Sequence, residues 1–498
     1  MKKNILYILI IGSSISFAQV NDSIVYKKRV LETAEVDFLM SYYNQDGIHS
    51  SVSGGMGSEK LSDIASNIVI SVPLNDDDIL TIDVGISAYT SASSSNINPF
   101  YSSRISNDDD DNQEDYYMSN SRGNGASWNA ATAASGGQNT STIPVGTPWQ
   151  ASSGASAQDA LVSLVANYAH SSDDRNLNWN ADLSVSNEYD YTSVGFGGGI
   201  AKLFNDKNSE ISLKTNVYLD QWRPIYPTEL SEYAKYGTNY NSQGYFAEVT
   251  IYNENGPDAT ENYLPIKFSK IDNVKRNSYS ASFGFSQVAT KKMQFSLFFD
   301  LIKQQGLLSS PYHRIYFANK TNFYVGKSEY ISVYQTAANV AVYHLADDIE
   351  RLPDTRTKTP IGARLNYYFN ERITIRSYYR YYTDNWDLSS HTASFELPIK
   401  VTDELTVFPM YRLYTQKQSK YFAGYEQHYS TEQYYTSDYD LSTFKANQFG
   451  FGVNYVDIFT SFKIGNFGLK NIDFRFNHYS RNDGLKANIG SIGFKFVL

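Results

Sequence analysis

The chain has no cysteine among its 498 residues. A disulfide framework, a thiolate metal site, a thiol nucleophile and lipidation on an N-terminal cysteine are excluded with it. Basic charge is also scarce. The 42 Lys+Arg stand against 52 Asp+Glu, a net charge of -10, which leaves no basic stripe for phosphate, so nucleic acid is not an expected partner. Long apolar runs are missing after the first residues. No later segment approaches the ~18 apolar residues a membrane helix needs. If the mature chain sits in a membrane it crosses as a closed barrel, the other structure that satisfies every backbone group in lipid. Catalytic signatures are absent too: the seven His are scattered, with no HExxH, nucleophile elbow or phosphate loop. The Gly195–Gly199 run is followed by no helical pattern and reads as strand glycine, not a dinucleotide loop.

What is present is aromatic and alternating. Aromatics make up 15% of residues, mostly 42 Tyr and 28 Phe, yet the mean hydropathy is -0.42. A membrane barrel reconciles the two, because only alternate strand residues meet lipid and Tyr and Phe gather in interfacial girdles. The pairs Tyr367-Tyr368, Tyr378-Tyr379, Tyr381-Tyr382 and Tyr434-Tyr435 are read mainly as girdle and lumen packing. Residues 1–18 read as a signal peptide: Lys2 and Lys3, the apolar Ile5 to Ile11, then Ser16-Phe17-Ala18, with cleavage expected between Ala18 and Gln19. Residues 19–33 form a short periplasmic segment, too short for a plug domain, and 34–498 the barrel.

Period-two alternation predicts sixteen strands, near 34–43, 62–74, 78–90, 158–170, 176–189, 191–204, 209–222, 277–289, 292–303, 358–369, 372–383, 388–400, 404–415, 444–458, 467–480 and 485–498. In 209–222, Ile211, Leu213, Thr215, Val217 and Leu219 share one face, and Ser212, Lys214, Asn216, Tyr218 and Asp220 the other. The connections alternate. Short turns join the strands at one end, while every long loop (44–61, 90–157, 223–276, 304–357 and 416–443) falls at the other. That asymmetry separates an outer-membrane barrel from a secreted multi-sandwich adhesin. The chain finishes on an outward Phe494, Phe496, Leu498 series. It resembles the terminal signal recognised by the barrel-assembly machinery, with Leu in place of a final Phe.

Alternation turns Arg364, Arg376, Arg380, Arg412 and Arg475 inward, with Asp83, Asp220, Asp300 and Asp473 as lumenal acids placed where they could face them. Such opposed charges can set ion selectivity, and a polar barrel interior would also need them for strand pairing. In the acidic run 108–115, Asp108, Asp110 and Glu114 are candidate hard-cation ligands, against a plain solvated loop. His428, near Glu426 and Glu432, is the only hint of hydrolytic chemistry in an outer loop. No enzyme and no cofactor is expected.

Several stretches resemble one family of bacterial outer-membrane barrels of unknown function, DUF3570. They are Glu59 to Ala65, Ser87 to Asn96, His170 to Asn176, Leu345 to Pro353 and Tyr434 to Leu441. The resemblance implies a barrel encoded beside exported flavin-transferase and thioredoxin-like proteins, and so a possible conduit or scaffold for an exported redox system. It assigns no catalytic residue. The leading expectation from the residues is a porin-like channel in the cell outer membrane, passing or housing a small solute, with lipid around it. A scaffold for redox partners is the alternative, and an outer-membrane hydrolase a distant third.

Overall fold

The computed structural model describes residues 29–90, 158–188, 190–243, 246–247, 249–256, 262–333 and 342–498. The signal peptide and the acidic-loop ligands Asp108, Asp110 and Glu114 lie outside them. Sixteen long antiparallel strands form one closed barrel. They are β1 (Glu35–Asp46), β2 (Leu61–Pro73), β3 (Asp78–Thr90), β4 (Gln158–Ser171), β5 (Leu177–Asn187), β6 (Tyr191–Phe204), β7 (Ser209–Trp222) and β8 (Lys275–Thr290) in the first half. The second half has β9 (Met293–Gly306), β10 (Thr355–Lys358 and Ile361–Tyr368), β11 (Thr374–Thr383), β12 (Ser389–Glu396 and Ile399–Lys400), β13 (Leu405–Lys417), β14 (Phe444–Val456), β15 (Phe467–Arg481) and β16 (Lys486–Val497). Each strand pairs with the next, and β1 pairs with β16 from Glu35↔Val497 to Asp46↔Lys486. Closure leaves no unpaired edge, which lipid requires.

Every predicted strand is present. The breaks inside β10 and β12 fall at Pro360 and Pro398, where a missing N–H interrupts the ladder; their carbonyls still accept from Asp300 and Thr374. A bulge in β15 skips Lys470, whose ammonium reaches Glu35 at 2.9 Å.

The two faces sort as the alternation demands. Ile64, Ile68, Ile70 and Val72 of β2, Leu183 and Val185 of β5, Leu297, Phe299 and Leu301 of β9, and Phe449 and Phe451 of β14 are exposed on the outside. In water such a band would be a large aggregation-prone surface; in a bilayer it is the lipid contact. Among the described residues no helix is long and apolar enough to cross a membrane, so the strands make the crossing. Most tyrosine doublets divide between the faces: Tyr379 lies outside, where His391 also sits, while Tyr378 stacks inside on Phe298.

At the long-loop end, segments of four loops fold together into a cap with its own core. Helix α1 (Thr228–Tyr236), a three-stranded sheet of Ile251–Asn253, Phe323–Gly326 and Val342–Leu345, and the pair Arg314–Ile315 with Asp348–Ile349 enclose Leu230, Tyr240, Phe246, Tyr263, Leu345 and Ile349. The loops were expected only as long connections. Their dense aromatic and apolar content is the signal that they pack.

Candidate functional site

The inner wall is the polar surface that the closed barrel encloses. Antiparallel pairing puts directly opposed residues on one face, so Arg364↔Tyr378, Tyr378↔Ser394 and Ser394↔Arg412 form one inward row. Arg376↔Glu396 and Arg380↔Thr392 lie on the rows beside it. All five sequence-predicted arginines therefore line the same wall, between β10 and β15.

They fall into two groups. Arg376 Nη1 meets Glu396 Oε1 at 2.7 Å, and Arg475 Nη1 meets Glu396 Oε2 at 3.1 Å. Arg475 Nε also donates to Asp473 Oδ1 at 3.0 Å, and both guanidiniums stand over the Phe408 ring. This group is neutralised. Arg364, Arg380 and Arg412 form no ion pair among the described residues. Arg364 lies 5.6 Å and 5.7 Å from the Phe298 and Tyr378 ring centres. Arg380 has a buried Nε without a hydrogen-bond acceptor. Arg412 is exposed and faces Ser394 and Gln448.

Asp220 on β7 lies eight strands from β15, the strand of Arg475, and the acids also bond to neighbours beside them. Asp473 bonds Arg475 on its own strand, and Asp220 is taken by Ser193 at 2.7 Å and Arg276 at 3.5 Å along the same wall. Asp83 accepts from Asn67 at 3.0 Å, and Asp300 lies on the inner face of β9, opposite Ser282. Asp83 on β3 is eight strands from β11, diametrically across a sixteen-stranded barrel, so of the expected acids it is the one that faces Arg376 and Arg380 across the lumen. Asp182 on β5, missed in the sequence, stands in the same relation to Arg412 on β13.

The wall opposite the arginines is polar and close-packed. Gly197 allows this: a Cβ there would lie 2.4 Å from Asn216 Oδ1 and 2.8 Å from Asp182 Oδ2. Near the short-turn end a cavity of about 780 Å³ is lined by Asn167, Asn178, Asn180, Gly199, Ser212 and Lys214, with Arg29 and Val30 beside it.

The cap is held by buried polar contacts. Arg314 is fully buried and grips Glu229 with two bonds of 2.8 and 3.2 Å, while its Nη1 donates to the Val52 carbonyl at 3.1 Å. Two of the segments that carry the family resemblance meet here. Tyr435 Oη donates to Asp348 at 2.6 Å, Thr436 Oγ1 donates to Glu350 at 2.6 Å, and Arg351 and Tyr435 exchange backbone bonds. Burial lifts the Asp347 carboxyl to about 7 and drives the His344 imidazole down to about 3. His428 is closed on both ring nitrogens, by Glu432 at 2.7 Å and the Thr436 carbonyl at 2.9 Å. Glu426 turns away from it to Asn322. The three residues singled out for hydrolysis thus do not converge on a nucleophile.

A lipid-facing band, a closed sixteen-strand wall and a polar interior define a transmembrane β-barrel of the porin class of architecture. Over residues 9–493 the chain matches the family described as a protein of unknown function (DUF3570), and it belongs to that family. No curated protein matches. Among solved structures it is similar to the TodX monoaromatic hydrocarbon channel deltaS2 mutant (TM-score 0.34, 8% identity, 94% of this chain and 90% of that one covered). It is also similar to Pseudomonas aeruginosa OccK2 (OpdF) in complex with glucuronate (0.36, 8%, 95% and 99%) and to a BenF-like porin from Pseudomonas fluorescens Pf-5 (0.36, 8%, 94% and 100%). At that identity none of them carries a solute across to this chain.

Proposed function

We propose that this barrel is an outer-membrane channel with a preference for small anions, its long loops outside the cell and its short turns in the periplasm. The observation that carries the reading is the solvent exposure of Arg364, Arg376 and Arg412 on the inward face of the wall. The open space beside these guanidiniums is room for water, which a charged group without a full set of partners requires. Barrels of about 16–18 strands are wide enough for an aqueous lumen. Three of the five inward arginines lack a carboxylate among the described residues, so that wall carries net positive charge. The opposite wall presents Asp83 and Asp182, which produces a transverse field of the kind that orders ions in constricted pores.

The test is ion selectivity in planar bilayers under a salt gradient. Wild-type protein is expected to prefer anions. Arg364→Glu, Arg380→Glu and Arg412→Glu together are expected to move the reversal potential to the cation side. A conducting triple variant with an unchanged reversal potential would show that ions pass without meeting these residues, and would end this reading.

A further inference from the structure

In the cap, three ligating side chains from two loops converge on one buried point. His313 and Glu350 belong to the loop between β9 and β10, and Asp438 to the loop between β13 and β14. One donor atom from each lies within 4.8 Å of the others. We infer that His313, Glu350 and Asp438 form a binding site for a single divalent transition-metal ion of the zinc class, which clasps these two loops together over the outer mouth of the barrel.

The charge pattern is the first reason. The buried carboxylates of Glu229, Asp348 and Asp384 each bond an arginine: Arg314, Arg351 and Arg356. Glu350 and Asp438 form no ion pair with lysine or arginine among the described residues, and the ionisable group between them is the His313 imidazole. A buried and a half-buried carboxylate, Glu350 and Asp438, with one imidazole remain net anionic even when the histidine is protonated, and charge removed from water without compensation is expensive. A divalent ion supplies the missing charge.

The hydrogen bonds are the second reason. Ser51 Oγ lies 3.0 Å from His313 Nε2, and Nδ1 lies 3.4 Å from Glu350 Oε2. With Nε2–H donating to Ser51, the Nδ1 lone pair faces Glu350 and is placed to bind an ion there, at the position a proton takes when this contact is a His–Glu hydrogen bond. A metal ligand histidine characteristically donates its other N–H in this way. Thr436 Oγ1 and the Ser310 amide, each at 2.6 Å, hold the Glu350 carboxylate, and the Asp440 amide holds Asp438 Oδ1 at 2.9 Å. Bonds of ~2.0–2.1 Å at tetrahedral angles put two ligand atoms about 3.4 Å apart, so small side-chain shifts close the site around the ion. One nitrogen with two carboxylates suits zinc better than calcium, which prefers six or more oxygens. Ser51 comes from the β1–β2 loop, so the site also tethers a third segment of the cap.

The experiment uses the full-length folded barrel in detergent, stripped with chelator, dialysed and then titrated with Zn²⁺ alone. Metal content is read by mass spectrometry, and cap closure by trypsin cleavage after the exposed Lys320 and Lys420 of the two loops. The expected result is one tightly held Zn²⁺ per chain and cleavage slowed about tenfold at saturation. Asp438→Asn keeps the shape and the acceptor for the Asp440 amide, and is expected to bind at least ~10-fold more weakly. His313→Ala is expected to lose both effects while its barrel still shifts on heating. No stoichiometric Zn²⁺ in wild-type protein, or equal binding by wild type and Asp438→Asn, overturns the inference. So does labelling of Ser51 by a fluorophosphonate, because His313 would then serve a nucleophile instead of an ion.

Discussion

Arg364, Arg380 and Arg412 differ from Arg376 and Arg475 in one respect that decides their roles. The first three have no carboxylate partner among the described residues, whereas the other two share Glu396. Charge removal should therefore separate the groups. Arg412→Gln is expected to change selectivity with little change in stability, and Arg475→Gln to lower the temperature at which the folded band is lost while changing selectivity less. Paired measurements of reversal potential and heat-modifiable gel mobility read both. Gly306, at the outer end of β9, marks a different limit. Its φ is +107°, and a Cβ would stand 1.9 Å from the Lys275 carbonyl oxygen. Gly306→Ala should cost on the order of 1–3 kcal/mol of backbone strain and lower the same transition temperature. His344 sets an acid limit on the cap. Its folded pKa of about 3 lies below the ordinary 6.5, so the closed cap rejects a proton that the opened one accepts. Its contribution is complete above about 6.5 and is lost progressively as pH falls from there toward about 3. Tyr316, Tyr324 and Tyr425 pack around the ring and Glu426 lies 3.7 Å from it. Asp347, raised to about 7, acts in the opposite sense and favours the closed form as pH falls. His344→Gln is therefore expected to make protease resistance of the cap less sensitive to acid, without altering it at neutral pH in the same proportion.

Single contacts become whole elements in the cap. Helix α1 places Glu229 under Arg314, and that pair ties the β7–β8 loop to the β9–β10 loop and, through the Val52 carbonyl, to the β1–β2 loop. Glu229→Gln would leave a buried guanidinium short of its charge partner, a loss of about 3–5 kcal/mol. Limited proteolysis should then cut the cap loops quickly while the strands stay protected. A variant whose loops remain resistant would show that the apolar core alone holds the cap. The strands and the cap were not equally legible. Alternation in Ile211 to Leu219, or in Gly490 to Phe496, reports directly which residues meet lipid, because a strand has only two faces. The lumenal placement of the arginines followed from the same rule. Their division into paired and unpaired groups did not, since it depends on Glu396 arriving from the neighbouring strand. The cap stayed hidden for a related reason. Glu229 and Arg314, or Glu350 and Thr436, are joined across 85 and 86 positions of sequence, and no local periodicity encodes such contacts. The resemblance segments Leu345 to Pro353 and Tyr434 to Leu441 were visible, and their meeting was not.

At the scale of the molecule, a lipid-facing cylinder carries two specialised regions. The lumen has a basic wall between β10 and β15 and a polar, partly acidic wall across from it. Among the described residues, the outer end carries a packed cap built from segments of four loops. On the proposed reading these make a conduit whose outer mouth lies beneath an ordered structure. The central claim is that the lumen conducts. Single-channel recording on the heat-modifiable folded band, purified from the outer-membrane fraction, tests it most directly. Stable unitary currents with an anion-selective reversal potential are the result expected here. A folded, heat-modifiable barrel that inserts into the bilayer and passes no current, with the cap intact and after proteolytic removal of the cap alike, would contradict it.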